Sequence, residues 1–109
     1  MFFEGPKDTK EICWTRHIKE KMMYYRLSEG RLRRILRRPQ RSEVGIAPET
    51  VALMCRADTK KSCEIWLMYQ QVGKKKKMIS AWRYPGISPK GEPIFIPDDV
   101  LEFLTNKKR

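Results

Sequence analysis

The sequence predicts one α+β domain in which an antiparallel sheet packs on a helical hairpin. Three observations carry that expectation. A length of 109 residues allows one modest core and no second. Between Arg16 and Arg38 apolar residues recur at helical spacing. From Glu49 to Tyr84 the chain changes to runs rich in β-formers, separated by polar turns. The expected order is β-α-α-β-β-β-α over a core of about residues 10–104, with a short N-terminal arm and a basic C-terminal tail inside a single domain of 1–109.

Taken in order, "EICW" reads as a brief strand. Thr15 can then cap "RHIKEKMMYYRL", where Ile18, Met22 and Tyr25 fall at i, i+4 and i+7. Ser28 is a second cap candidate and opens "EGRLRRILRR". Leu32, Ile35 and Leu36 form its narrow apolar face, and Pro39 stops it. "ETVALMCRA", "CEIWLMYQQV" and "KMISAWRY" are three strands joined by turns around "DTKK" and "GKKK", with Trp66 in the core. "IAP" and "ISPKGEP" read as loops and "IFIP" as a short extended piece. "PDDVLEFLTNK" places Pro97, Asp98 and Asp99 at a helix start, followed by Val100, Leu101 and Leu104.

Charge narrows the function classes. There are 24 Lys plus Arg against 13 Asp plus Glu, a formal net charge of +11, beside an ordinary hydrophobic fraction of 40%. That combination describes a folded core beneath a cationic surface, and it points to a polyanionic partner. Nucleic acid comes first, an acidic protein second and an anionic membrane surface third. No apolar run approaches the roughly 20 residues that span a bilayer. "MFFEGPKD" lacks the basic and apolar regions of a signal peptide, so a cytoplasmic protein is expected. Cys13, Cys55 and Cys63 are odd in number and widely spaced, which fits reduced, small, buried residues. With His17 the only histidine, no zinc site and no cofactor are expected. Walker-type, G-x-S-x-G, H-E-x-x-H and RNP1-like patterns are absent.

Three groups could carry chemistry. In "RLRRILRRPQR", Arg31, Arg34 and Arg38 form one helical stripe and Arg33 with Arg37 another, flanking the apolar face. A solvated face usually mixes Glu with Lys. This one is nearly all arginine, whose planar fork grips phosphate bidentately. Lys75, Lys76 and Lys77 form a second cluster at a hairpin turn, either hydrated or touching a nucleic-acid backbone. Trp82, Arg83 and Tyr84 end the last strand. By alternation Arg83 shares a face with Ile79 and Ala81, and Trp82 and Tyr84 share the other with Met78 and Ser80. Either Trp82 closes the core while Arg83 snorkels, or Arg83 meets a phosphate and an aromatic ring stacks on a base. His17 opens the first helix, with Lys21 and Tyr24 along its stripe. It is either a core-edge histidine or a proton carrier, and Lys21 extends the expected RNA contacts.

Two segments resemble known families. "HIKEKMMYYRLSEGRLRRILRRPQ" is similar to the opening of a prokaryotic domain family of unknown function, with His17, Lys21, Met22, Arg26, Ser28, Ile35, Leu36 and Pro39 at matching places. "MISAWRYPG" is similar to the final strand of BrnT-like toxins, Arg-Ile-Ile-Ser-Ala-Arg, which belong with the RelE-like ribonucleases and share a β-α-α-β-β-β topology. The resemblance implies a metal-independent toxin ribonuclease in which a ribose 2′-OH attacks the adjacent phosphate, neutralised by an antitoxin. Arg83 would then stabilise phosphorane charge, and His17 or Tyr84 would move protons. Trp82 displaces the final Arg of the pattern by one place, which turns Arg83 to the other face unless a bulge intervenes. Two alternatives stand beside this. One is a non-catalytic RNA- or ribosome-binding module on the same scaffold; the other is a basic protein for an acidic partner.

Overall fold

Thr15 and Ser28 start the two helices of the hairpin where the sequence places them. The structure, a computed structural model, describes residues 5–44, 47–57, 62–89 and 93–105. Helix α1 covers Arg16–Tyr25 and α2 covers Glu29–Arg37. The Thr15 hydroxyl accepts from the Ile18 amide at 3.1 Å, and the Ser28 hydroxyl from the Arg31 amide at 3.1 Å. Each satisfies one of the amides that a helix start leaves unpaired. Ile18, Met22, Leu32 and Ile35 are buried as the spacing requires. Helix α1 ends earlier than expected, because Arg26 adopts a left-handed φ of 58° and its amide turns back to the Met22 and Met23 carbonyls.

The strands are β1 (Ile12–Trp14), β2 (Arg41–Val44), β3 (Thr50–Ala57), β4 (Cys63–Val72) and β5 (Lys75–Pro85), and α3 is Asp98–Thr105. They form one sheet of order β1-β5-β4-β3-β2. The class is α+β, but two expectations need correction. The element order is β-α-α-β-β-β-β-α, one strand more than expected. Strand β2 reads Arg-Ser-Glu-Val and lacks the apolar alternation that marks a strand in sequence. Its polarity suits a sheet edge, where charged side chains discourage further pairing. Nor is the sheet wholly antiparallel, since β1 runs parallel to β5, with Ile12 beside Lys76 and Trp14 beside Met78. The expected meander is present as β3, β4 and β5. Gly73, at φ 62°, supplies the left-handed residue of the β4–β5 turn. The turn expected at 58–61, parts of the loops at 45–46 and 90–92, residues 1–4 and the basic tail from 106 lie outside the described residues.

Both faces of the sheet are covered. Leu53, Ile65, Leu67, Met78 and Ala81 pack with Ile18, Met22, Leu32 and Ile35 of the hairpin. Ala52, Met54, Trp66, Met68, Ile79 and Trp82 pack on the reverse face with Val100 of α3. Phe103 and Leu104 complete that layer, while Leu101, expected on the apolar face, is exposed. Ile94 and Ile96 of the expected extended piece pack there without joining the sheet.

A β-bulge decides how β5 presents its side chains. Met68 pairs with Ser80 but Tyr69 pairs with Met78, so Ile79 is the extra residue. Simple alternation fails at that point: Met78 joins Ala81 and Arg83 on the hairpin face, and Ile79 joins Trp82 on the reverse. The Thr15 hydroxyl reaches the Met78 and Ile79 carbonyls, each at 3.0 Å, and so ties the start of α1 to the bulge. Among the described residues no helix is long and apolar enough to cross a membrane.

Candidate nucleic-acid interface

The two arginine stripes of α2 lie on opposite sides of Leu32 and Ile35, and they meet different surroundings. On one side Arg33 pairs with Glu29 at 2.8 Å and lies over the Trp14 ring at 6.0 Å, and exposed Arg37 continues that stripe. On the other side Arg31, Arg34 and Arg38 line a cavity of about 210 Å³ together with Gln40 and Arg56, over Cys55 and Ile65. The cleft is pinned by backbone. The Cys55 thiol donates to the Arg38 carbonyl at 3.2 Å, and the Gln40 amide carbonyl accepts from the Arg56 backbone at 2.6 Å. Among the described residues Arg31, Arg34, Arg38 and Arg56 have no ion-pair partner. Four uncompensated guanidinium groups thus share one exposed edge.

Arg83 faces this hairpin side because the bulge shifts it there. Its Nε donates to the Tyr25 carbonyl at 2.9 Å, and one Nη approaches the Cys63 thiol at 3.8 Å. Tyr25 ends α1, so its carbonyl lacks an intrahelical partner, and a cation at a helix C-terminus is favourable. Arg83 is therefore a cap for α1, and in the sheet it pairs in register with Ile65 of the cleft. The sequence-predicted partners are elsewhere. Tyr84 lies on the reverse face, 5.9 Å from the Phe95 ring. Trp82 is fully buried and stacked on Trp66 at 6.2 Å, so its expected role under a base is replaced by a place in the core.

His17 sits in the first turn of α1, about 12 Å along the helix from the Tyr25 carbonyl that Arg83 caps. It stacks on Phe103 of α3 at 5.2 Å, and its Nε2 is buried without a hydrogen-bond partner among the described residues. Burial holds its pKa below the ordinary imidazole value, with Lys21 adding to the effect while Asp99 opposes it. Lys21 forms an ion pair with Asp99, and that hydrogen bond raises its pKa. Burial pushes the Asp99 carboxyl up, but the bond and charge of Lys21 outweigh it and hold it low. Lys21 is thus committed to α3.

Lys75, Lys76 and Lys77 open β5 instead of forming a turn. Lys76 lies over the Tyr69 ring at 5.6 Å. The run is six or more residues from Arg83 along β5, about 20 Å, so the lysines and the arginine cleft occupy opposite ends of the sheet. The three cysteines are free, and all are half-buried where full burial was expected.

One polar constellation has no counterpart in the sequence reading. Glu64 is only 1% exposed, yet it is held within the protein by three hydrogen bonds. Its oxygens accept from the Trp66 indole at 3.1 Å, the Ser88 amide at 3.1 Å and the Ser88 hydroxyl at 2.7 Å. Arg41 of β2 donates to the same Ser88 hydroxyl at 2.8 Å, pairs with Glu43 at 2.7 Å and lies over the Trp66 ring at 5.4 Å. This network borders a second cavity, of about 440 Å³, that shares Gln40 and Arg56 with the arginine cleft. The one sequence signal for it was an acidic residue, Glu64, inside an apolar central strand. Among the described residues no group of three or more His, Cys, Asp or Glu comes together as a metal-binding set. Compared with protein-family models, curated proteins and solved structures, the chain matches none.

Proposed function

We propose that this protein is a non-catalytic module that binds single-stranded RNA, free or on the ribosome, through the cleft between α2 and the end of β3. The observation that carries this reading is the set of four arginines, Arg31, Arg34, Arg38 and Arg56, lining one cavity edge with no ion-pair partner among the described residues. Guanidinium groups held out on packed elements suit phosphate oxygens along a strand. An acidic, antitoxin-like protein would compete for the same groups.

Kinship with RelE- and BrnT-like toxins is proposed on the motif resemblance and on the helical hairpin followed by a meander. Strand β2 and the C-terminal layer are additions to that topology. Cleavage draws less support than binding. A phosphate held by Arg83 would need a proton carrier beside it, whereas His17 lies about 12 Å up α1 and Tyr84 faces the other side of the sheet.

Titration of labelled oligouridine against salt tests the proposal. Single-strand binding loses affinity with a log–log slope of about −0.7 per phosphate contact. Replacing Arg31, Arg34 and Arg38 by Gln together is expected to weaken binding at low salt by about 100-fold and to flatten the slope by about 2 units. Affinity and slope unchanged in the triple variant would refute the assignment. Cleaved RNA with wild type, absent with Arg83→Ala, would restore the ribonuclease.

A further inference from the structure

We infer that the cavity bounded by β2, the start of β4 and Ser88 is a pocket that recognises a guanine base of the bound RNA. The inference rests on the RNA-binding reading and deepens it. The cavity measures about 440 Å³, within the range of roughly 300–1,000 Å³ usual for small-molecule sites. Its position is set by shared walls: Gln40 and Arg56 line both this cavity and the arginine cleft. A nucleotide whose phosphate rests on Arg31, Arg34 or Arg38 therefore has its base beside the second opening.

The donor and acceptor set then selects the base. Met54 and Ile87 offer apolar surface for a flat ring. Glu64 is 1% exposed and already accepts three hydrogen bonds from Trp66 and Ser88, so its part is to hold the wall rigid. Glu43 is different: its side chain is 38% exposed and meets Arg41 through Oε2. Oε1 has no hydrogen bond among the described residues. A carboxylate needs two adjacent donors, and guanine alone among the RNA bases offers them, at N1 and N2 of its Watson–Crick edge. Its opposite edge carries the O6 and N7 acceptors that a guanidinium grips bidentately. Two guanidinium groups line the same cavity: Arg41 is engaged with Ser88 and Glu43, and Arg56, which has no ion-pair partner among the described residues, is the one placed for that edge. Adenine places an acceptor beside its one amino donor, and the carboxylate repels it. Uracil offers a single donor between two acceptors. Glu43 is the specificity-determining residue and Arg56 its complement.

The test compares oligouridine carrying one central guanosine with the same oligomer carrying adenosine, and with plain oligouridine. Wild type is expected to prefer the guanosine oligomer by about tenfold, the scale of one good bidentate contact. Glu43→Gln, at a half-exposed position outside the core, is expected to bring the guanosine oligomer down to the adenosine one. Equal binding of both oligomers by wild type, with oligouridine still bound, overturns the pocket and leaves the RNA-binding reading standing. If no oligomer binds, that reading falls and the pocket is decided separately, by amide and indole NMR shifts on adding guanosine or adenosine monophosphate. Shifts at Ser88 and Trp66 with the guanosine nucleotide alone uphold it, and their absence overturns it.

Discussion

One cationic stripe on each helix of the hairpin is used in opposite ways. Along α2, Arg31, Arg34 and Arg38 stand on a cleft edge with no ion-pair partner among the described residues. Along α1, Lys21 is paired with Asp99, and His17 is stacked on Phe103, both partners coming from α3. Yet on a helical wheel both helices show the same thing, a cationic stripe beside an apolar one. Helical spacing locates a cation. Whether that cation is spent internally depends on an element some 80 residues away in the chain, which local pattern does not report.

The contrast can be broken most severely from the α3 side. Trp82→Ala removes a fully buried ring stacked on Trp66 and is expected to cost about 3–5 kcal/mol in urea unfolding. RNA affinity per folded molecule should stay near wild type. A variant that loses RNA affinity at unchanged stability would transfer Trp82 to the binding surface.

His17 gives a smaller effect with a definite sign. Its folded pKa lies below the ordinary value of 6.5, chiefly through burial. As pH falls through 6.5 the unfolded chain takes up a proton that folded His17 refuses until lower pH, so stability drops in that window and is level above it. The depressed Asp99 carboxyl adds its own loss only at more acid pH, as its folded pKa is reached. Unfolding measured between about pH 5 and 8 therefore isolates the histidine, and His17→Phe is expected to remove the slope. An NMR titration midpoint at or above 6.5 would contradict the burial argument.

The smallest change is expected at Lys21. Its ion pair with Asp99 is partly exposed, with side chains 23% and 40% accessible. Such pairs contribute about 0–1 kcal/mol. Lys21→Ala should shift the urea midpoint within that limit and alter oligouridine affinity less than about twofold. A tenfold loss of affinity would place Lys21 with the α2 arginines and erase the contrast.

Local signals made the hairpin legible. Thr15, Ser28 and Pro39 act within a turn of their own positions, and Ile18, Met22, Leu32 and Ile35 follow the period of one helix. The meander was legible for a similar reason, since its strands are long and apolar. Strand β2 was hidden because it sits at a sheet edge with Arg41 laid over the Trp66 ring and Glu43 paired to Arg41, a use of charge that looks like loop in sequence. Strict alternation gives Arg83 a face shared with Ile79, and one extra residue at Ile79 puts Met78 there instead. Glu64, Ser88 and Arg41 come from three separate segments, so their network had no motif to show.

By itself, then, the sequence determined an α+β chain with two capped helices, a strongly cationic surface and an arginine stripe on the second helix. These follow from residue type and short-range period, which act whatever the rest of the chain does. Tertiary structure alone decided that Trp82 is core, that Lys21 and His17 serve α3, that Arg83 caps α1, and that a buried glutamate builds a cavity beside the arginine cleft. Each of those depends on register and on pairing between distant segments. A single bulge or an unforeseen edge strand is enough to reassign which side chains meet.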